Sequence, residues 1–466
     1  MRNFILILLV IVASVSTFSA FGDANPSFVN PLTISKAGEN STAPQLIMSG
    51  NNMYVGWIDN NANKFDISFA KSIDGGSSFG NPISLGNPSM QGADHLDIAE
   101  SDGKIYAIWQ SFSSGGSVIY FSMSTDGGNT FGSPAQLSEA GKDSAFPQIA
   151  VFGTHVYAVW LERTTGNITN VIFSKSDDNG NSFSKPNVLT HHSGNSGLPQ
   201  IFADANGVSL IWEDNSLGNF DVFFAKSTDA GNTFGAFTNV SNDTGESGTP
   251  RMIVLGKDIN IVWMDNVSGN YDIMFSKSTD GGSTFRKPLD ISKSQKDAGY
   301  PELAVSGNNV YVTWTNTMEG NNYDVLFSKS SDGGQTFTAP INISNNLGAS
   351  GWPQIAVAGD VYVSWVDNTS GNFDIDIAKS IDGGKSFETP VNISNTQNES
   401  WYNRMAVSPN TVYMVWQETN QANHDIVFTK STTFVPEFGA VVPVVLVIAI
   451  LVIVVISQRL PMRIRI

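Results

Sequence analysis

Eight tryptophans, Trp57, Trp109, Trp160, Trp212, Trp263, Trp314, Trp365 and Trp416, fall about 51 residues apart. A period of this length constrains the fold more than any other feature of the chain. One unit can be read over residues 147–190. "PQIAVFG", "HVYAVWLE" and "NVIFSKS" each alternate apolar and polar residues, a polar octapeptide follows, and "SKPNVLT" closes the unit. Runs of this period bounded by Gly, Asn and Asp are strands. Each unit is therefore a four-stranded antiparallel meander, strands a to d, and a ring of such units is a propeller. WD40 and kelch signatures are absent.

Eight a-b-c sets are present, but the last, "HDIVFTKSTTF", runs into the tail without a d strand. The N-terminal "NPLTIS" (30–35) matches "KPLDIS" (287–292) and "APINIS" (339–344), so it is expected to complete the last blade and remove the open sheet edges. The expected fold is all-β, an eight-bladed propeller over 25–433, or seven-bladed if one unit is distorted.

The octapeptide occurs seven times: "SIDGGSSF" (72–79), "STDGGNTF" (124–131), "SDDNGNSF" (176–183), "STDAGNTF" (227–234), "STDGGSTF" (278–285), "SSDGGQTF" (330–337) and "SIDGGKSF" (380–387). Gly76 and its equivalents suit a tight turn, and Asp74 can accept N–H bonds from the turn it starts. Phe79 is expected to anchor the hairpin to its own blade. Asp74, Asp126, Asp178, Asp229, Asp280, Asp332 and Asp382 are thus structural, since seven equal copies around a ring cannot all be catalytic.

The pattern Ser-x-Asp-x-Gly-x-Ser/Thr-Phe resembles the Asp-box, or BNR repeat, of the sialidase superfamily. The resemblance implies hairpins on the face opposite the active site. That agrees with the topology, which puts c-d and a-b turns on one face and d-a and b-c loops on the other. It also implies an arginine clamp, for which Arg163, Arg251 and Arg404 are available, a Tyr300/Glu302 nucleophile pair and Asp97 as acid. The chain departs from the family in lacking an Arg-Ile-Pro signature. Arg286 directly follows an Asp-box and belongs on the wrong face.

Aligning the a strands on the tryptophans brings eight polar residues into register: Gln45, Asp97, Gln148, Gln200, Arg251, Glu302, Gln354 and Arg404. They are expected to line the channel mouth, with Phe146, Tyr300, Trp352, Trp401 and Tyr402 just before them. Aromatics beside a polar cleft suit sugars, which offer an apolar face and hydroxyl edges. The expectation is a glycan- or protein-binding module without catalysis; an exo-α-sialidase or related exo-glycosidase is the alternative, and a purely structural envelope component the third reading. Sequons at Asn239, Asn266, Asn342 and Asn368 suit a glycosylated surface.

The "DNxSGNxD" loops at 265–272 and 367–374 have an oxygen-rich spacing suited to Ca²⁺, although turn capping explains the same pattern. His191-His192 is the other metal-ligating pair considered. No cofactor is assigned. With a formal net charge of -17, the chain lacks the basic footprint a nucleic acid needs.

Residues 1–22 read as a secretory signal, or an uncleaved anchor. Cleavage is expected between Ser19 and Ala24. Over 434–466, Gly439 to Ile456 form an apolar run of roughly 18 residues, long enough to cross a bilayer. Arg459, Arg463 and Arg465 follow, which leaves the C-terminus cytoplasmic before processing and the body outside. Pro436-Glu437-Phe438-Gly439, the apolar run and the basic end resemble the PEFG-type sorting signal of archaeal surface proteins, which implies cleavage by an archaeosortase and attachment to the envelope. A plain transmembrane anchor is the alternative. An exported chain without cysteine has no disulfides to stabilise it and relies on its core.

Overall fold

The computed structural model describes residues 28–432, apart from 62–63, 87–89, 114, 165, 167, 319–321 and 421–422. The signal and sorting segments lie outside the described residues. Among those described, no helix is long and apolar enough to cross a membrane.

Eight four-stranded antiparallel sheets form the blades of a propeller. In blade 1 the strands are Ser41–Ser49, Asn52–Asn61, Lys64–Ser72 and Ile83–Ser84, in that spatial order. The next six blades repeat the order. Blade 8 consists of Glu399–Ser408, Thr411–Asn420, Asn423–Ser431 and, from the other end of the chain, Leu32–Thr33. Leu32 pairs with Phe428 and Thr33 with Val427. The N-terminal strand therefore closes the ring.

The b strands are apolar on both faces because each is packed between neighbouring blades. All eight tryptophans sit there, fully buried. Some indoles reach a carboxylate two residues on: Trp57 Nε1 donates to Asp59 at 2.8 Å and Trp365 Nε1 to Asp367 at 3.1 Å.

The two faces are distinct. Asp-box hairpins lie beside a-b turns: Gly75 N donates to Asn51 O at 3.0 Å and Gly333 N to Asn308 O at 2.9 Å. On the other face b-c loops meet d-a loops, as Asn60 N to Asn40 O (2.8 Å) and Asn215 N to Asn195 O (3.0 Å) demonstrate.

Within the first Asp-box, Asp74 Oδ1 accepts from Ser72 Oγ (2.7 Å), Ser77 N (2.9 Å) and Ser78 N (3.0 Å), and Oδ2 accepts from Ser78 Oγ (2.6 Å). Phe79 extends the sequence reading. Its ring packs on a cluster that holds Met53, Val55 and Ala70 of its own blade, and it also meets Phe428 of blade 8 at a centroid distance of 4.8 Å. All seven Asp-box phenylalanines do the same to the c strand of the preceding blade, as in Phe131 on Phe69 (5.0 Å) and Phe387 on Phe327 (4.9 Å). Period-2 alternation tells which side of a sheet a residue faces, but not which neighbour it meets. Gly76, at φ +74°, completes the clasp, because a Cβ there would lie 2.5 Å from Phe428 Cζ.

Blade 8 has no intact octapeptide, and in blade 7 the residue that such a hairpin would cover is Ile377 instead of Phe. Phe28 packs against the cluster that contains Ile377. Val29 N donates to Lys430 O at 2.9 Å, as Gly80 N does to Lys71 O. "FVNP" (28–31) thus stands where "FGNP" (79–82) stands in blade 1. The two ends of the ring meet inside an interrupted Asp-box.

Candidate functional site

Each a strand carries a β-bulge near its start. In blade 1 Thr42 pairs with Ile58 and Gln45 with Gly56, so Ala43 and Pro44 together oppose Trp57. The first bulge residue is left-handed in every blade: Ala43, His95, Phe146, Leu198, Thr249, Tyr300, Trp352 and Tyr402 have φ between 42° and 56°. Bulges of this kind favour glycine at that position, yet none of the eight is glycine. Residues held there cost on the order of 1–2 kcal/mol each. The preceding blade helps to hold some of them: Glu213 Oε2 accepts from Thr249 N at 3.3 Å and Thr315 Oγ1 from Trp352 N at 3.2 Å. In six blades the second bulge residue is proline, which removes an N–H that the broken ladder would leave unpaired.

The third residue of each bulge sequence is the polar ring residue. Gln45, Asp97, Gln148, Gln200, Arg251, Glu302, Gln354 and Arg404 all line one cavity of about 710 Å³ at the d-a end of the channel. Phe146, Tyr300, Trp352, Trp401 and Tyr402 line it as well. His95, Leu96, Leu198 and Asn403 also line it and were not singled out from the sequence. His95 and Leu198 occupy the same bulge position as Tyr300 and Trp352, and that register is the signal that finds them. Asn403 replaces the recurrent proline; it is buried, accepts from Ser364 Oγ at 2.8 Å and donates to Trp352 O at 3.4 Å.

The aromatic side chains form two patches on the rim. Tyr300, Trp352 and Trp401 follow one another around blades 6 to 8, with centroids 6.3 and 5.6 Å apart, and Phe373 backs Trp401 at 4.2 Å. Tyr300, Trp352 and Tyr402 are about half exposed. Across the ring, His95 packs on Phe146 at 4.1 Å.

Two acids and two arginines occupy the ring. Arg251 Nε pairs with Glu302 Oε1 at 2.9 Å. Arg404 donates to Gln45 Oε1 (3.4 Å) and to Asn403 O (3.2 Å). Burial lowers the pKa of Arg404 and Arg251 adds to the effect, while Glu302 and Asp97 oppose it. Asp97 accepts from Ile98 N (3.0 Å) and from Ile149 N of the next blade (2.9 Å), but burial outweighs these bonds and pushes its carboxyl up to about 6. Gln200 Oε1 likewise accepts from Met252 N of the next blade at 3.3 Å. These ring residues therefore join blades as well as lining the cavity.

The trio of arginines does not assemble. Arg163 ends its b strand in a separate groove with Asn195, Glu213 and Phe220, 3.5 Å from Asp143 Oδ2. A residue at the outer end of a b strand lies away from the ring formed by the a strands. Glu302 engages Arg251, and Arg286 sits on the Asp-box side, donating to Gly333 O at 3.5 Å.

The "DNxSGNxD" aspartates cap their own turns. Asp265 accepts from Val267 N (2.8 Å) and Ser247 Oγ (2.5 Å), and Asp272 from Ser268 Oγ (2.6 Å) and Ser292 Oγ (2.8 Å). His192 Nε2 lies 2.8 Å from Asp214 Oδ2, and His191 is exposed. Among the described residues no three His, Asp or Glu side chains converge as a metal site.

No protein-family profile matches the chain, and no curated protein does. Among solved structures, the polysaccharide lyase Uly1 aligns over 88% of this chain and 94% of its own, with a TM-score of 0.51 at 9% identity. A PL25 ulvan lyase aligns over 78% of this chain and 93% of its own, with a TM-score of 0.46 at 12% identity. The sialidase of Trypanosoma rangeli aligns over 75% of this chain and 55% of its own, with a TM-score of 0.41 at 13% identity. At these identities the likeness extends to the fold alone.

Proposed function

We propose that this chain is an envelope-anchored extracellular propeller that binds glycans in the cavity at the d-a end of its channel. The observation that carries the reading is the aromatic arc Tyr300–Trp352–Trp401 standing beside a ring of eight polar side chains in a single cavity. Sugar rings present an apolar face and a hydroxylated edge, and a site for them combines flat aromatic surfaces with a few fixed polar groups. The surface location is supported by the sequence of residues 1–22 and 434–466.

The test is a glycan array probed with the full-length protein. Binding is expected, with loss in Trp352→Ala and Tyr300→Ala at an unchanged thermal midpoint. An array without signal overturns the reading and leaves the structural envelope role.

A second reading, exo-glycosidase activity, is favoured by Asp97. A carboxyl near 6 in the same cavity as Glu302 has the value a general acid needs close to neutral pH. Turnover of a fluorogenic sialoside or another aryl glycoside that disappears in Asp97→Asn would establish it; silence across the panel would remove it.

A further inference from the structure

We infer that the Asp-box face around blade 8 is the surface that meets the lipid bilayer, so that the glycan cavity opens away from the membrane. The inference rests on the envelope-anchored reading above.

The first support is where the chain leaves the ring. The c strand of blade 8, Asn423–Ser431, runs from the b-c loops to the Asp-box face, where Lys430 O receives Val29 N. The described chain ends at residue 432 and the apolar run starts at Gly439. Seven Cα steps separate them, which span at most about 25 Å when fully extended. A nine-residue strand is itself about 30 Å long. To turn the mouth toward the bilayer, the tether would have to run the full height of the ring, and it is too short. This counts against the mouth loops as the contact surface although they too carry exposed apolar residues, Leu217, Val267 and Leu347.

The second support is independent of the tether. The second position of the Asp-box points to solvent and is polar in five hairpins, as Thr125, Asp177, Thr228, Thr279 and Ser331. In the other two it is isoleucine: Ile73, 71% exposed, and Ile381, 61% exposed. Those two hairpins belong to blades 1 and 7, which flank blade 8 on either side. Exposed β-branched residues at otherwise polar positions thus bracket the point where the chain departs. Apolar side chains placed at a bilayer surface bury their area in the headgroup and acyl boundary. The orientation is the same whether the apolar run remains as a span or is exchanged for another lipid attachment, because both act through residues 433–438.

The chain has no cysteine, so a single introduced thiol reports one place. Full-length Lys385→Cys, on the Asp-box face of blade 7, and Gln397→Cys, on the d-a loop leading to blade 8, are labelled with a fluorophore. Each is reconstituted into phosphatidylcholine vesicles containing a nitroxide-headgroup lipid. Quenching is expected at position 385 and absent at 397, and Ile73→Thr with Ile381→Thr is expected to weaken quenching at 385 without unfolding the ring. Protein that floats with the vesicles but is quenched equally at both positions, or only at 397, overturns the orientation alone. Protein that does not float overturns the anchored reading and the orientation with it.

Discussion

The rings of Phe79 and Phe428 meet edge to face, 4.8 Å apart, across the seam between blade 1 and blade 8. The same contact recurs at six further blade boundaries, so the Asp-box fastens one blade to the one before it. Phe428 is fully buried. Phe428→Ala is expected to cost about 3–5 kcal/mol, read as a lower guanidinium midpoint. A double-mutant cycle with Phe79→Ala should return a coupling of about 0.5–1.5 kcal/mol, and additivity would argue against a clasp.

The Asp-box aspartates give the ring an acid-sensitive margin. Hydrogen bonds hold their carboxyls well below the usual range: for Asp280 the Thr284 hydroxyl acts first, then the Thr284 N–H, then the Ser278 hydroxyl. A depressed folded value stabilises above the unfolded value, about 3.9, and that stability is lost as pH falls through the folded one. The contribution of these aspartates to the thermal midpoint should hold steady from pH 7 to 5 and fall below about 4. These side chains face solvent, which screens each contribution. Asp280→Asn should lower the midpoint at pH 7 and flatten the acid decline.

Two other acids act with the opposite sign. Burial pushes Asp97 to about 6, and burial, then Asp367 and Asp374, push Asp376 to about 7. A raised value contributes stability below the unfolded value, about 3.9, and the contribution is lost as pH rises through 6 and 7. Asp376→Asn should therefore be more stable than the parent at pH 8, with the difference shrinking toward pH 4. Carboxyl ¹³C resonances should titrate near 6 and 7 and disappear in the respective Asn variants.

The left-handed bulge separates strain from function. Thr249 is β-branched at φ 47° and keeps its N–H on Glu213. Thr249→Gly removes a strain on the order of 1–2 kcal/mol and adds unfolded-state freedom of about 0.5–1 kcal/mol, so a net gain near 1 kcal/mol is expected in chemical denaturation. Trp352→Gly relieves the same strain but removes an exposed indole, and should bind glycan less well without melting earlier. Loss of stability in both variants would show that the bulge side chains serve packing.

The blade count, the ring closure and the polar register were legible because each rests on a period that the sequence repeats eight times. The aspartate turns were legible because their bonds are local. The bulge was not: nothing in "APQ", "FPQ" or "WPQ" announces a left-handed residue where glycine is usual, so the aromatic side chains could be placed before the ring but their backbone could not. Arg163 was available for the clamp by residue type alone, and residue type does not tell which strand faces the channel. His95 was passed over because its register matched the aromatic positions while its residue type did not.

Leu32–Thr33 is synthesised before the seven blades that follow it, and it pairs with Asn423–Ser431, which is made after them. Blade 8 cannot form until the other seven blades have been translated, and contacts this distant in sequence are slow to make. A product cut short before Val427 has no strand for Leu32 and Thr33 to join and keeps raw sheet edges, the feature that invites aggregation and proteolysis. Closure of the ring therefore works as a check that all eight blades have been made.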